Sequence, residues 1–407
     1  MPTIRHLKTK ADLDAYMDLC VYCFSMSRDY VSHYATFVGS HIDKTWAAFD
    51  NGRMVASMWY IPFEMNVIGA HLGMGGVAAV VTAPHARNRG LAKTLMSSAH
   101  KQMRSEGCPL AALMPFKPDF YARMGYGDVF YHQDCLIPPG AVAPRDTQGY
   151  SVEPVDGLKE WKTFDRLYQE NTSQCFGAVK RDSLYWKLRY FNSVLGSRQP
   201  YLIMRGGKPR GFLITHLDKP VGGWEPDLFR ESRLGIVQAI WSDQGAWDAI
   251  LQFIRGHRDQ FGKIRWHLPL DVHLHDRLID PRIEVQIRPK MMLKLVDLKS
   301  ALERRPYDSA FHGEVIMNVT ADDTSPWNGG TWRVVWRDGR ATATKSAKTP
   351  GRTPAVRTDI QSLAVLYSGR RSASQLADLS LLHGPAPALS ILDGAFPART
   401  PYLQEWF

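Results

Sequence analysis

Hydrophobic positions along the chain change period repeatedly, and the clearest change lies between Gly75 and Gly107. Residues 76–82 form a short, valine-rich apolar run, which predicts a buried strand. Ala83-Pro84-His85 breaks that run. From Gly90 the apolar residues Leu91, Leu95, Ala99 and Met103 recur every four positions until Gly107, the pattern of a helix with one buried face. Before this stretch the pattern predicts a strand at 3–8, a helix at 10–24, and extended segments at 46–49 and 54–62 flanking the hairpin signal Asp50-Asn51-Gly52, then another at 64–70. After it come a strand at 109–114 and the aromatic, glycine-rich stretch 115–127.

A second α/β pattern begins near residue 150. It predicts a strand at Val152, helices at 158–168 and 181–190, a hairpin of 201–204 with 211–217 across Gly206-Gly207, and then strand, helix, strand at 234–241, 246–258 and 264–268. A third part starts near Met291. There the pattern gives a strand at 292–296, a short helix at 298–304, and an antiparallel meander at 315–321, 332–336 and 341–344 that turns at Asp338-Gly339. Two helices follow, at 359–367 and 373–379. The last twelve residues, from Phe396 to Phe407, are unusually aromatic for a terminus and predict a packed tail.

Composition narrows the classes. At 407 residues with 44% apolar residues and 12 Trp, the chain can build two or three packed domains. No apolar run approaches the ~18 residues of a membrane span. The first residues carry acids and lack the apolar core of a signal peptide, so a soluble, cytoplasmic protein with no membrane partner is expected. Five cysteines at 20, 23, 108, 135 and 175 make no disulfide framework, and Cys20-x-x-Cys23 falls on a helical pattern with no second ligand pair. His267, His273 and His275 lack helical metal-site spacing, and no metal is expected. The net charge of +10 is spread without a run of five basic residues, which argues for a basic enzyme with no nucleic-acid partner.

The chemistry concentrates in the loop Arg87-Asn88-Arg89-Gly90-Leu91-Ala92 between the predicted strand and helix. Free N–H groups and the positive dipole end at a helix start favour an anion, most naturally a phosphate, and Gly90 has no side chain to hold a pyrophosphate away. Gly73-Met74-Gly75-Gly76 leads into a strand, so it is no dinucleotide fingerprint, and no Gly-Lys-Ser/Thr loop occurs. With the strand residues Val80, Val81 and Thr82 before it, the loop resembles the acetyl-CoA-binding Arg/Gln-x-x-Gly-x-Gly/Ala motif of GNAT-type N-acetyltransferases. The corresponding join in the second part, Ser242-Asp243-Gln244-Gly245, is acidic and has no arginine. It predicts a degenerate copy that holds no cofactor.

Taken over nearly its whole length, the chain resembles the enhanced intracellular survival (Eis) family. That resemblance implies an α/β and α+β protein: tandem GNAT domains, mixed splayed sheets with flanking helices, followed by a sterol-carrier-protein-like α+β domain. The expected bounds are 1–149 for the catalytic domain, 150–290 for the degenerate GNAT-like domain and 291–407 for the third. It further implies acetyl-CoA as cosubstrate, direct acetyl transfer to primary amines such as aminoglycosides, polyamines or lysine side chains, and a homo-oligomer, a hexamer. The family's acid, the tyrosine of Gly-Tyr-Gly, falls on Tyr126, and its base, the main-chain carboxylate of the last residue, falls on Phe407. Two departures bear on the substrate: Pro115-Phe116-Lys117 stands where some members carry Ser-Glu, and the chain ends Glu405-Trp406-Phe407. Asp29 and Glu405 are candidates for an acidic acceptor cavity, and Phe24, Tyr30 and Trp46 for its aromatic walls. A non-catalytic protein that binds CoA or a lipid is the alternative reading.

Overall fold

The computed structural model of the chain describes residues 2–191, 197–219, 232–346, 353–405 and 407. The N-terminal segment opens with β1 (Thr3–His6) and α1 (Lys10–Phe24), where the Thr9 side chain caps the helix by accepting from the Asp12 N–H. A second helix, α2 (Arg28–Gly39), was not marked by the hydrophobic pattern. β2 (Thr45–Asp50) turns into β3 (Arg53–Val67) through Asn51 and Gly52, both at positive φ, as the hairpin signal requires. Next come β4 (Ala70–Thr82), α3 (Leu91–Ser105), β5 (Leu110–Leu113) and the short α4 (Pro118–Ala122).

The middle segment holds β6 (Gly127–Ile137), β7 (Tyr150–Pro154), α5 (Gly157–Thr172), β8 (Phe176–Val179), β9 (Gln199–Arg205), β10 (Lys208–Lys219), β11 (Arg233–Trp241), α6 (Gln244–Gly256) and β12 (Lys263–Leu268). The expected helix at 181–190 forms at 183–191, as an α-helical turn, Ser183–Tyr185, continued by a widened π-helical stretch, Trp186–Phe191. The widening has a physical cause in Arg181. Its guanidinium lies 3.7, 4.6 and 4.1 Å from the Tyr168, Trp186 and Tyr190 rings and donates to Gln238 at 2.7 Å. The last segment holds β13 (Glu284–Leu295), α7 (Leu298–Arg304), β14 (Gly313–Val319), β15 (Gly330–Arg337), β16 (Arg340–Lys345), β17 (Ala355–Thr358), α8 (Ile360–Ser368), α9 (Ala373–Asp378), β18 (Leu382–His383) and α10 (Ala386–Ala395).

These elements form two compact units, one of Met1–Phe130, Cys175–Val179 and Lys290–Phe407, the other of Tyr131–Gln174 and Lys180–Pro289. In the first unit the strand order is β1-β2-β3-β4-β5-β13, antiparallel except for the parallel pair β4–β5, and β8 joins the far end of β3 at Met65↔Val179 and Val67↔Phe176. Leu91, Leu95, Ala99 and Met103 of α3, the residues whose spacing predicts the helix, share a core cluster with Met58, Tyr60, Val77 and Leu113. A second sheet in this unit has the order β16-β15-β14-β17-β18.

The first and last segments share a unit because polar groups tie α4 and the loop behind it to the last segment. Thr324 Oγ1 donates to Met124 O (2.8 Å) and Gln361 Nε2 to Ala122 O (2.7 Å). Beneath them Lys294 Nζ meets Asp322 Oδ2 at 2.6 Å with both side chains wholly buried. Gly127 lets the chains close up, since a Cβ there would lie 2.3 Å from the Gln361 carbonyl. In the second unit the order is β6-β12-β11-β10-β9-β7, with Trp247, Ile250 and Ile254 of α6 packed over Ile203, Ile264 and Trp266.

Candidate active site

The site is set by where β4 and β5 part. They run parallel from Met74↔Leu110 to Val77↔Leu113, and β4 then continues alone to Thr82, so a wedge opens between the strands. One residue beyond the last pair, β4 carries a bulge: three steps from Ala78 to Val81 match two from Trp59 to Ser57 on β3. Ala79, within it, sits at φ +45, a left-handed conformation that costs an alanine about 1–2 kcal/mol. The bulge takes Ala79 and Val80 out of the regular pairing with β3. From α1, the Tyr16 hydroxyl reaches Ala79 O at 3.5 Å and Cys23 Sγ reaches Thr82 O at 3.6 Å, which fixes the outer end of the strand.

Past the wedge the chain makes one tight turn, Pro84–Ala86, and enters the basic loop. Arg87, Asn88, Arg89 and Gly90 are exposed, with Asn88 at φ +61 and Gly90 at φ +72. Gly90 is the N-cap of α3 and offers no side-chain cap; its carbonyl receives the first helical hydrogen bond, from the Thr94 N–H at 3.1 Å. The amides of Leu91, Ala92 and Lys93 therefore lie ahead of the first closed turn, which is where an anion binds. Val80 and Thr82 are half-buried beside this loop, while Val81 is buried on the core side. Arg89 also pairs with Asp50 Oδ2 at 2.9 Å, so one of the two arginines has a competing carboxylate and Arg87 does not share it.

The corresponding helix start in the second unit is already filled. Asp243 accepts from the Ala246 N–H (2.9 Å) and from the Tyr150 hydroxyl (2.8 Å), and a Cβ on Gly245 would lie 2.3 Å from the Tyr150 ring. A carboxylate thus takes the place an anionic ligand needs, as the acidic join implies.

The C-terminal tail comes to the wedge. Tyr402 N–H donates to Phe176 O of β8 (2.7 Å), Lys290 Nζ donates to Gln404 O (2.8 Å), and Glu405 is fully buried. Gly177 permits this crossing at φ +113, because a Cβ there would lie 2.6 Å from Tyr402 O. The Phe407 ring ends 5.5 Å from that of Phe63 on β3, and a Cβ on Gly76 would come 3.2 Å from it. Gly76 is the residue just before the last β4–β5 pair. A glycine inside an apolar strand signals such a close approach, but the sequence does not say what approaches.

Other expected site residues stand elsewhere. Tyr126 is fully buried in the α3 core, its hydroxyl 2.9 Å from His100 Nε2, and His100 Nδ1 is 3.4 Å from Ser325 Oγ. Burial holds His100 well below the usual imidazole range, so the ring is neutral, and its tautomer sets which of the two groups donates in this hydrogen bond. Burial likewise pushes the Tyr126 phenol well above its ordinary value. The Tyr126 hydroxyl is thus engaged with His100 of α3. Tyr121, five residues earlier on α4, is the tyrosine the sequence reading passed over. It lies among Phe116, Phe120 and Tyr126 at ring separations of 5.6, 5.1 and 6.2 Å, and among the described residues its hydroxyl makes no hydrogen bond.

The Trp46 ring, on β2, lies 3.9 Å from His6 of β1, and its N–H donates to Gln102 on α3 (2.9 Å). Glu405 is buried, whereas Phe24 and Asp29 are exposed near the α1–α2 turn. The Tyr30 side chain and Trp406 lie outside the described residues. Among the described residues no helix is long and apolar enough to cross a membrane.

The comparisons with known proteins agree with this arrangement. Two family models for an acetyltransferase (GNAT) domain match residues 3–129 and 177–295, and a sterol carrier protein domain model matches 298–404. An uncharacterized N-acetyltransferase of Streptomyces avermitilis is 27% identical, over 83% of this chain and 81% of that protein. N-acetyltransferase Eis of Mycobacterium tuberculosis is 24% identical, over 86% of this chain and 84% of its own length. Among solved structures, a probable N-acyltransferase of Enterococcus faecalis (TM-score 0.88, 21% identity) and Eis1 of Mycobacterium abscessus (TM-score 0.80, 19%) each match over all of both chains and share the fold. The acetyl-CoA motif beside a splayed strand pair, repeated GNAT domains and a carrier-type third domain have one common reading: the chain is a GNAT-type N-acetyltransferase, similar over most of its length to N-acetyltransferase Eis.

Proposed function

We propose that this acetyltransferase moves the acetyl group of acetyl-CoA directly onto a primary amine, of aminoglycoside, polyamine or lysine type, with the main-chain carboxylate of Phe407 as base. The observation that carries the reading is the Phe407 ring lying against Phe63 and Gly76 where β4 and β5 separate. In this proposal the pantetheine arm follows the β4 backbone at Val80–Thr82, and the pyrophosphate rests on the amides of Gly90, Leu91 and Ala92 with Arg87, Asn88 and Arg89 around it.

The terminus has a specific task. An amine of pKa ~10.4 is neutral in only about one molecule in a few thousand at pH 7, so the nucleophile must lose a proton in the site. A free α-carboxylate of pKa ~3.5 is a weak base, and burial raises it. Its negative charge also draws the ammonium form in before deprotonation. The leaving thiolate needs a donor, and two tyrosines are candidates. Tyr121 is favoured by its uncommitted hydroxyl. Tyr126, the residue the family motif indicates, acts behind it and holds the aromatic cluster in place. A phenol of ordinary pKa ~10 already donates uphill to a thiolate of pKa ~8.5 by about 2 kcal/mol, and burial raises both tyrosines further, so hydrogen bonding to the developing charge is the donor's main contribution.

Thiol release from acetyl-CoA, followed across a panel of aminoglycosides, polyamines and lysine peptides, tests the proposal. Amine-dependent release with one acetyl group on a primary amine is expected. Tight acetyl-CoA binding with no release for any amine in the panel would defeat the acceptor assignment. A cytoplasmic homo-hexamer completes the proposal on the strength of the family resemblance, and light scattering at low protein concentration tests the assembly.

A further inference from the structure

The third domain contains a polar cluster that acetyl transfer does not use. Arg305, immediately after α7, is 2% exposed. Its guanidinium donates through Nη1 to the Tyr367 carbonyl near the C-terminal end of α8, and lies 5.7, 5.0 and 5.2 Å from the Tyr307, Tyr367 and Phe396 rings. Its Nε is buried without an acceptor. The Trp336 indole N–H, 1% exposed and bounded by the same Tyr307 and Phe396 rings at 6.1 and 6.0 Å, lies toward the Tyr307 oxygen without forming a full hydrogen bond to it. The Tyr307 hydroxyl beside it is already donating to Leu302 O at 2.9 Å.

A third donor stands at the same helix end. Arg399 N–H donates to Gly369 O, its side chain lies over Gly369, the C-cap of α8, and its Nε is buried without an acceptor. Every buried, partnerless side-chain atom among the described residues of this domain is thus a nitrogen donor. No carboxylate bonds to either arginine among the described residues. The helix C-terminus supplies only about half a negative charge against the two cations. Buried donors left unpaired each cost about 1–3 kcal/mol, and a buried cation costs more. The three ring faces over Arg305 offset part of its charge but give its Nε no acceptor.

We propose that the third domain binds one small monovalent anion, a halide or a carboxylate group, held by Arg305, Trp336 and Arg399 at the end of α8. Phe396 and Arg399 begin the tail that ends at Phe407, so the bound anion also fastens the root of that tail. The site is independent of the acetyl-transfer reading and stands or falls apart from it.

Full-length protein crystallised with bromide, and separately with acetate, tests the site directly. Anomalous bromide density, or acetate density, within bonding distance of Arg305 Nε or Trp336 Nε1 is expected. Water or empty space there in both crystals overturns the proposal. In solution, replacing methanesulfonate by bromide at fixed ionic strength is expected to raise the Tm saturably by a few degrees. Trp336→Phe keeps a ring but removes the N–H, and should at least halve that rise; an undiminished rise in this variant also overturns the proposal.

Discussion

The ring of Phe407, the last residue of the chain, lies 5.5 Å from the ring of Phe63 on the third strand. More than three hundred positions separate them in sequence. The contact exists because the tail is fastened on the way, by Phe176 O, by Lys290 and by the burial of Glu405, before it reaches the strand opening. A terminus so guided can carry chemistry on its backbone carboxylate.

The cofactor loop gives the first prediction. Gly90 at φ +72 has nothing within 4 Å of a built Cβ, so the obstacle to substitution is the backbone and the ligand, not the neighbouring protein. Gly90→Val should lower acetyl-CoA affinity by at least about tenfold, since a β-branched residue resists this conformation by about 1–2 kcal/mol and crowds the phosphate position. Arg87→Ala should weaken binding by about 1.5–3 kcal/mol. Substitutions at Ser242 or Gln244 should leave affinity unchanged, because Asp243 and Tyr150 already close that helix start. Isothermal titration with acetyl-CoA reads all of these.

Tyr121 and Tyr126 should separate cleanly. Tyr121→Phe is expected to lower kcat by about a hundredfold with little change in Tm. Tyr126→Phe removes the partner of a buried, neutral His100 and should cost about 1–3 kcal/mol of stability, with a much smaller fall in kcat. The reverse pattern in paired kinetic and melting measurements returns the acid role to Tyr126.

The buried pair beneath Gly125 predicts a stability defect. Lys294→Met or Asp322→Asn leaves one wholly buried charge without its partner and should cost about 3–5 kcal/mol in denaturant unfolding. The double replacement by apolar residues should recover much of that loss. Singles that unfold like the native protein would mean that the pair is not buried as described.

The first helix supplies a pH test. Hydrogen bonds from Arg5 hold the Asp12 carboxyl down to about 2 from its ordinary 3.8. A depressed carboxyl stabilises the fold fully above its unfolded value, and the contribution disappears as pH falls from near 4 through about 2. Because Arg5 remains 31% exposed, solvent screening reduces the effect to about 1 kcal/mol. Asp12→Asn should lose that amount at pH 6, and its stability relative to the native protein should converge as the pH approaches 2.

Much of this was legible in the chain. The period change at 76–103 located β4 and α3, Asn51-Gly52 and Asp338-Gly339 marked hairpins that formed with positive φ, and the acidic join at Asp243 identified a closed helix start. What escaped was set by distant partners. β8 is four residues long and belongs to the first unit only because it pairs with β3. The 181–190 helix formed but widened from Trp186 onward, where Arg181 gathers three rings around itself, a demand no local period encodes. Tyr121 and Tyr126 lie five apart on a short helix and the turn after it, and only the position of His100 tells which hydroxyl is committed.

The central claim is that the backbone carboxylate of Phe407 does the work of the base. A short C-terminal extension converts that carboxylate into a neutral amide and displaces it, while Phe407→Leu keeps it and removes only ring packing on Phe63. Turnover with saturating acetyl-CoA and amine is therefore expected to vanish in the extended protein, with acetyl-CoA affinity and Tm unchanged, and to survive in good part in Phe407→Leu. Full turnover by the extended protein would contradict the account and move the base to a side chain or to solvent.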